Sequence, residues 1–138
     1  MVAVNDVEVR EGLYYAKDHV WLKVENGKCR IGITDHAQKQ LKEVVVVDLL
    51  DEGDELSQGD SFGEVESVKT VSDLLAPISG IITEINGELE DSPELVNESP
   101  YDEGWMVVVK PSNLDAELAN LMTFDDAVEF YEEVVKEE

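Results

Sequence analysis

Lys69, the only base between Lys42 and Lys110, is the residue whose position best suits a chemical role. It lies midway between two strand-like runs, Phe62–Val68 and Val71–Leu75. A hairpin made from those runs would present the lysine at its tip, where a modifying enzyme can reach the ammonium group. Forming an amide there would remove one positive charge and leave the scaffold intact. On sequence statistics alone, an exposed lysine without a special role is the commoner case.

The other groups that could do chemistry are two histidines and one cysteine. A predicted pair of strands separates His19 from His36, so we expect each histidine to be structural or incidental. Cys29 falls on the apolar side of that strand pair, where a thiol is usually a small buried hydrophobe. The sequence contains neither metal-ligand spacings such as HExxH or CxxC nor a phosphate-binding glycine pattern. The residues therefore predict no catalytic site, no metal site and no nucleotide site.

The composition limits the classes of partner. The chain has 138 residues, with 33 acidic against 10 basic side chains and a formal net charge of −23. Such a surface repels the phosphates of nucleic acids and anionic lipid headgroups, so we expect neither as a partner. The acidic residues are spread along the chain, which favours ligands or partners with positive charge. Solubility alone would explain the same excess.

The sequence also predicts where the protein works. Met1–Arg10 lacks the basic start and apolar centre of a secretory signal, and no apolar run approaches the roughly twenty residues of a membrane span. Cys29 is the only cysteine, which fits a reducing compartment. We expect a cytoplasmic protein, or a mitochondrial matrix protein if the source is eukaryotic.

The clearest structural signal is a hairpin over Val20–Ile33. Asn26-Gly27 can adopt the positive φ angles of a two-residue type I′ turn, and the residues on both sides alternate in polarity. The turn sets the register of the two strands. The predicted pairs are Val24 with Cys29, Leu22 with Ile31 and Val20 with Ile33 on the apolar face, and Trp21 with Gly32 on the other face.

Turn signals recur about every ten residues in the rest of the chain, which predicts a sandwich or flattened barrel of short antiparallel strands. Thr34-Asp35 is predicted to begin a short helix. Val44–Leu50 is predicted to be a strand buried on most of its surface. The other predicted elements are strands at Phe62–Val68, Val71–Leu75, Ile78–Ile85 and Trp105–Lys110, and an irregular surface loop at Asn86–Tyr101.

The C-terminal segment is predicted to form two short helices packed on the β core. Ser112 with Asp115, and Thr123 with Asp126, resemble capping boxes. From Phe124 onward the apolar residues keep helical spacing, and such a stripe usually docks on its own domain. We therefore expect one domain over residues 1–138, with a core at about 13–111 and C-terminal helices at about 112–136.

The segment around Lys69 resembles the lipoylation turn of the H-protein family of the glycine cleavage system. Further blocks follow the order and spacing of that family over nearly the whole chain, and together they are far more specific than any one of them. The blocks are Ile31–Asp35, Ala37-Gln38, Val47–Leu49, Glu66–Asp73, Ala76–Gly80, Leu89–Asn97, Pro100-Tyr101 and Gly104-Trp105.

The resemblance implies a barrel-sandwich hybrid fold of the lipoyl-domain type, and a carrier rather than an enzyme. It implies lipoate attached through an amide to Lys69. The residues expected to position the turn and to be recognised by the lipoylating enzyme are Glu66, Ser67, Val68, Val71 and Asp73. The partners that it implies are the glycine decarboxylase, the aminomethyltransferase, dihydrolipoyl dehydrogenase, and a lipoate ligase or lipoyl transferase. We expect a monomer that meets these partners transiently.

One departure from the family concerns the loaded lipoyl arm. Where the family commonly reads His-Glu-Trp, this chain reads His19-Val20-Trp21, so a carboxylate that would help to hold the arm is missing. Asp18 and His19 are the candidates to hold the arm instead.

Three other interpretations remain open from the sequence. The first is a similar lipoyl carrier for another pathway, either a lipoyl relay or sulfur oxidation. The second is a biotinyl carrier, which usually has methionines beside its lysine, whereas Lys69 is flanked by Val68 and Thr70. The third is an acidic interaction module without a cofactor.

Overall fold

The computed structural model describes residues 2–4 and 6–136. Over these residues, short strands alternate with tight turns, and helices lie between some strands and at the C-terminal end. The strands are β1 (Val2–Val4), β2 (Val7–Val9), β3 (Tyr14–Tyr15), β4 (Val20–Glu25), β5 (Lys28–Ile33), β6 (Val44–Leu49), β7 (Glu55–Leu56), β8 (Ser61–Ser67), β9 (Val71–Leu75), β10 (Gly80–Ile85) and β11 (Val107–Pro111). The helices are α1 (Asp35–Leu41), α2 (Glu88–Asp91), α3 (Leu95–Glu98), α4 (Leu114–Leu118) and α5 (Phe124–Lys136).

Two antiparallel sheets enclose the main core. The six-stranded sheet has the order β3-β4-β5-β11-β10-β7, and the three-stranded sheet has the order β6-β8-β9. Ile31 and Val107 of the first sheet join Val65 and Leu74 of the second in one buried apolar cluster. The mainly β architecture predicted from the sequence, with short antiparallel strands and short helices, is confirmed.

The β4–β5 hairpin has the register predicted from its turn. Asn26 and Gly27 both have positive φ angles, of 50° and 76°, as the type I′ turn requires. All the predicted pairs are present, including Val20 with Ile33 and Trp21 with Gly32. The apolar side is buried except at its outer end, where Val24 is 39% exposed.

Trp21 packs across Gly32 on the other side of this hairpin. A Cβ atom on Gly32 would lie 2.8 Å from three atoms of the indole ring, which no real Cβ atom tolerates. The indole N–H donates a hydrogen bond to the carbonyl of Pro100 at 2.9 Å. Trp21 is fully buried in a second apolar cluster with Tyr15, Tyr101 and Tyr131.

Helix α1 begins where the sequence predicted. The Thr34 hydroxyl accepts a hydrogen bond from the backbone N–H of Ala37 at 3.2 Å, so Thr34 is the N-cap. The Asp35 carboxylate accepts from the backbone N–H of Glu8 at 2.8 Å. This second bond attaches the N-terminal β1–β2 hairpin to the start of α1.

The prediction that Val44–Leu50 is buried on most of its surface was wrong. The strand is present as β6, but Val45 and Val46 are 39% and 45% exposed and only Val44 is buried. The register against β8 shifts between Val44 and Val46, which is a β-bulge. Because a bulge adds a residue to one strand, two consecutive side chains can face outward there.

The prediction of an irregular loop over Asn86–Tyr101 was wrong in part. The segment contains α2 and α3, and it buries Leu89 and Val96 in the main core. The Asn86 side chain donates to the carbonyls of Glu103 and Trp105, at 2.9 and 2.8 Å. These bonds fasten the start of the segment to the residues just before β11.

The two C-terminal helices exist, but only one predicted cap is correct. The Thr123 hydroxyl accepts from the N–H of Asp126 at 3.4 Å, at the start of α5. Helix α4 follows Asn113 rather than Ser112, because the N–H of Ser112 still pairs with the carbonyl of Ser79 at the end of the sheet. The stripe on α5 packs on its own chain, with Ala127 and Tyr131 fully buried, as predicted.

Cys29 is buried in this fold, as the sequence predicted. Its side chain lies on the core side of β5 with none of its surface exposed. Burial raises the pKa of its thiol to about 11, so the reactive thiolate is scarce at neutral pH.

We expect Gly32→Ala to destabilise the chain by about 1–3 kcal/mol, because the new methyl group must displace the buried Trp21 ring. Urea unfolding followed by Trp fluorescence measures this loss. Gly87→Ala is the matched control, since Gly87 has a right-handed φ of −63° and open space where its Cβ would lie. Equal stability of the two variants would contradict the close packing of Trp21 on Gly32.

We expect iodoacetamide at pH 8 to leave Cys29 unmodified in the native chain and to alkylate it in urea. The buried thiol must both become accessible and lose its proton before it reacts. Mass spectrometry of the intact chain measures the reaction. Fast alkylation without denaturant would show that Cys29 is exposed by local opening.

Candidate functional site

Lys69 lies at the exposed tip of the β8–β9 hairpin. The N–H of Ser67 donates to the carbonyl of Thr70 at 2.8 Å and closes the turn. The Ser67 hydroxyl accepts from the N–H groups of Lys69 and Thr70, both at 3.2 Å. Because Ser67 is only 5% exposed, its hydroxyl holds the turn from inside.

The side chains around Lys69 point into solvent. Val68 and Val71 are 68% and 54% exposed, which is unusual for such apolar residues. Glu66 is exposed on the strand directly opposite Val71. Among the described residues, Lys69 makes no ion pair, so its ammonium group is accessible to a partner.

A cleft of about 360 Å³ opens beside this hairpin, and we call it the hairpin cleft. Its lining residues are Asp18, His19, Val20, Ile33, His36, Ala37, Gln40, Leu41, Val65, Ser72, Asp73, Leu74 and Val134. Most of these side chains are aliphatic, and the polar ones come mainly from residues 18–19, from α1 and from β9. The cleft therefore suits a ligand with an alkyl body and a polar or charged end.

The turn and the cleft belong to the same hairpin. Val65 and Ser72 line the cleft and are directly opposite each other on β8 and β9. Lys69 precedes Ser72 by three residues and lies in the turn at the tip of the same hairpin. A long group attached to the lysine could fold back along the hairpin and reach the cleft.

The two histidines, which a pair of strands separates in the sequence, meet in the wall of this cleft. Their ring centroids are 4.5 Å apart. His36 is buried, and His19 has a left-handed φ of 67°, which is rare for a residue with a side chain. The backbone N–H of Thr34 donates to the His19 carbonyl at 3.0 Å, one step beyond the pair of Val20 with Ile33.

The sequence did contain the signal for this meeting. A hairpin register that pairs Val20 with Ile33 also places His19 opposite Thr34, and one further half-turn of helix brings His36 to the same side.

The two residues beside His19 take different positions: Asp18 is exposed at the mouth of the cleft, and Val20 is 2% exposed in its wall. Asp73 is exposed on β9 at the opposite side of the mouth.

Within the described part of the chain, no group of three or more His, Cys, Asp or Glu side chains is placed to hold a metal ion. No helix within residues 2–4 and 6–136 is both long enough and apolar enough to cross a membrane.

The chain is similar to proteins of one family. A sequence profile described as "Glycine cleavage H-protein" matches residues 13–134. The "Glycine cleavage system H protein" of Bacillus licheniformis is 52% identical over 126 residues, covering 91% of this chain and 95% of that protein. The "Probable glycine cleavage system H protein" of Thermococcus gammatolerans is 50% identical over 133 residues, covering 96% and 98%.

A solved structure shows the same likeness in three dimensions. The crystal structure of a glycine cleavage system H protein from Mycobacterium marinum superposes with a TM-score of 0.82 at 36% sequence identity. The match covers 89% of this chain and 98% of that one. Since profile, sequence and fold agree over nearly the full length, the chain belongs to the glycine cleavage H-protein family.

Proposed function

We propose that Lys69 carries a lipoyl group, joined by an amide to its Nζ atom, and that this arm is the working part of the protein. The chain has the H-protein role in the glycine cleavage system, which is that of a lipoyl carrier. The observation that carries the proposal is an accessible lysine at the tip of a serine-capped turn, with a cleft on the same hairpin. These features fit a long modified side chain that must be reached by several enzymes.

The hairpin cleft fits such an arm. When bound, the lipoyl group supplies a redox-active disulfide to which the aminomethyl group of glycine is transferred. The aliphatic wall formed by Val20, Val65 and Leu74 suits the alkyl part of the arm. Asp18 and His19 line the same cleft, and Asp18 would attract a protonated amine by its charge.

The residues of the turn would position the lysine and identify it. Ser67 fixes the backbone on either side of Lys69. Val68 and Val71 present apolar surface, and Glu66 and Asp73 present carboxylates, for contact with a lipoylating enzyme. An exposed pattern of this kind favours recognition by a protein partner over internal packing.

The protein's own side chains support a carrier that is not itself a catalyst. Cys29, the one thiol of the chain, is buried, and its pKa is raised by that burial. In the described part of the chain no metal-binding group is assembled. The reactive atoms would thus come from the cofactor, and the protein would supply attachment, shelter and recognition.

The glycine cleavage system supplies the partners. The arm would visit the glycine decarboxylase, the aminomethyltransferase and dihydrolipoyl dehydrogenase in turn, after a lipoate ligase or lipoyl transferase had loaded Lys69. The net charge of −23 favours partner surfaces with positive charge and fast, transient encounters.

We further infer a monomeric protein, because a carrier must leave each active site quickly. Its bacterial and archaeal relatives support a cytoplasmic location.

We expect lipoate, ATP and a lipoate ligase to add one lipoyl group to the wild-type chain and none to Lys69→Arg. Arginine keeps the charge, but a ligase that forms a lysyl amide cannot use it. The mass of the intact protein measures the product.

Lys28→Arg is the matched control, because Lys28 is also an exposed lysine beside a tight hairpin turn. It should be lipoylated like the wild type. A lipoyl increment on Lys69→Arg, or its absence from the wild type while a known lipoyl domain in the same tube is modified, would contradict the assignment of Lys69.

We expect Ser67→Ala to slow lipoylation several-fold while the chain stays folded. The substitution leaves the N–H groups of Lys69 and Thr70 without their acceptor and costs about 0.5–1.5 kcal/mol of local stability. Initial rates with the ligase, together with thermal unfolding, measure the two effects. Ser57→Ala, in the exposed turn that precedes β8 at the end opposite Ser67, is the control. An unchanged rate would show that the ligase does not need the capped turn.

A further inference from the structure

Helix α5 reaches the hairpin cleft through one buried tyrosine. Tyr131 has none of its surface exposed, and its hydroxyl lies 3.1 Å from Nδ1 of His19. The same hydroxyl donates to the hydroxyl of Thr34 at 3.4 Å. Val134, one turn further along α5, lines the cleft. The C-terminal helix therefore touches the site that the lipoyl arm is proposed to use.

The backbone of His19 is held in place by two hydrogen bonds. Its N–H donates to the carbonyl of Ala16, and its carbonyl accepts from the N–H of Thr34, both at 3.0 Å. Its φ of 67° is left-handed, a conformation that costs free energy for a residue with a side chain. Folded chains keep it mainly where the surrounding structure requires it. The ring packs against His36, Phe130 and Tyr131, with ring centroids 4.5, 6.0 and 5.6 Å away.

Packing alone does not explain a tyrosine at position 131. Burying a hydroxyl carries a desolvation cost that phenylalanine would avoid, and the neighbouring residue Phe130 shows that this helix uses both. The two hydrogen-bond partners of the Tyr131 hydroxyl, His19 and Thr34, lie where β4 and α1 meet the cleft. Burial also raises the pKa of Tyr131 well above its usual value, so the hydroxyl stays protonated at any physiological pH.

The Tyr131 hydroxyl bonds to one nitrogen of His19 and therefore favours one tautomer. With its single proton directed at Thr34, the Tyr131 oxygen accepts from His19, and the hydrogen then lies on Nδ1. A hydrogen bond at one ring nitrogen in this way selects one tautomer and one ring orientation.

We propose that Tyr131 is a positioning residue for the hairpin cleft: its hydroxyl holds the His19 ring in one orientation and one tautomer, and helix α5 thereby shapes the arm's shelter. This inference rests on the proposed function, because it concerns the same cleft. It adds a residue that the motifs around Lys69 did not indicate. The stripe on α5 thus serves the site as well as the core.

The test compares Tyr131→Phe with Tyr15→Phe in the full chain. Tyr15 is equally buried, and its hydroxyl bonds to the backbone of Arg10 and lies against Tyr101 rather than His19. Each variant therefore loses one buried hydroxyl, but only Tyr131→Phe loses the contact with His19.

The first measurement is the nitrogen NMR spectrum of the histidine rings in the unlipoylated chain. We expect the wild type and Tyr15→Phe to show His19 protonated at Nδ1, and Tyr131→Phe to show His19 averaging between both tautomers. Identical His19 nitrogen shifts in all three proteins would overturn the proposal. Because no lipoyl group is present, this result does not depend on whether Lys69 is the attachment site.

The second measurement is the half-life of the aminomethyl group on the loaded arm. We expect Tyr131→Phe to shorten it by about two- to tenfold, the range that loss of one hydrogen bond produces, and Tyr15→Phe to leave it unchanged. A cycle with His19→Asn and the double variant separates coupling from general loosening. Non-additive effects support the proposal. Additive effects, or equal half-lives in the two tyrosine variants, would overturn it.

Discussion

The backbone register of the β4–β5 hairpin is the constraint on which the main core and the second apolar cluster both depend. Its two-residue turn, with positive φ at Asn26 and Gly27, permits one pairing of the strands. That pairing sends Leu22 and Ile31 into the main core and lays Trp21 on Gly32 in the second cluster. A slip of one residue would exchange the two faces and remove both clusters at once.

Much of this could be predicted because it depends on local residue types. The hairpin register follows from a turn pair and alternation, and the capping of α1 follows from Thr34. The errors arose where long-range contacts decide the outcome. A bulge turns Val45 and Val46 outward, and the side chain of Asn86 lets a polar segment fold as helices. No local pattern around either position reports those contacts.

The candidate site likewise has one part that local residues predict and another part that depends on long-range contacts. Lys69 and its turn were recognisable from a short run of residues, because attachment needs only an exposed lysine on a rigid hairpin. The cleft needs residues from distant parts of the chain, among them His19, His36 and Val134. Tyr131 reaches this group only because α5 packs against β1, β2 and β3, so its link to His19 is a property of the fold.

The serine-capped turn has a consequence for how far the proposed arm can travel. Ser67 holds the backbone on both sides of Lys69, so the attachment point acts as a fixed pivot. The group at the end of the proposed lipoyl arm can then move only as far as the arm is long, within a small sphere around Lys69. We call this group the cargo. Confinement to that sphere gives the cargo a high effective concentration at any active site docked beside the hairpin. An active site outside the sphere receives nothing, so docking geometry alone can decide which enzyme is served.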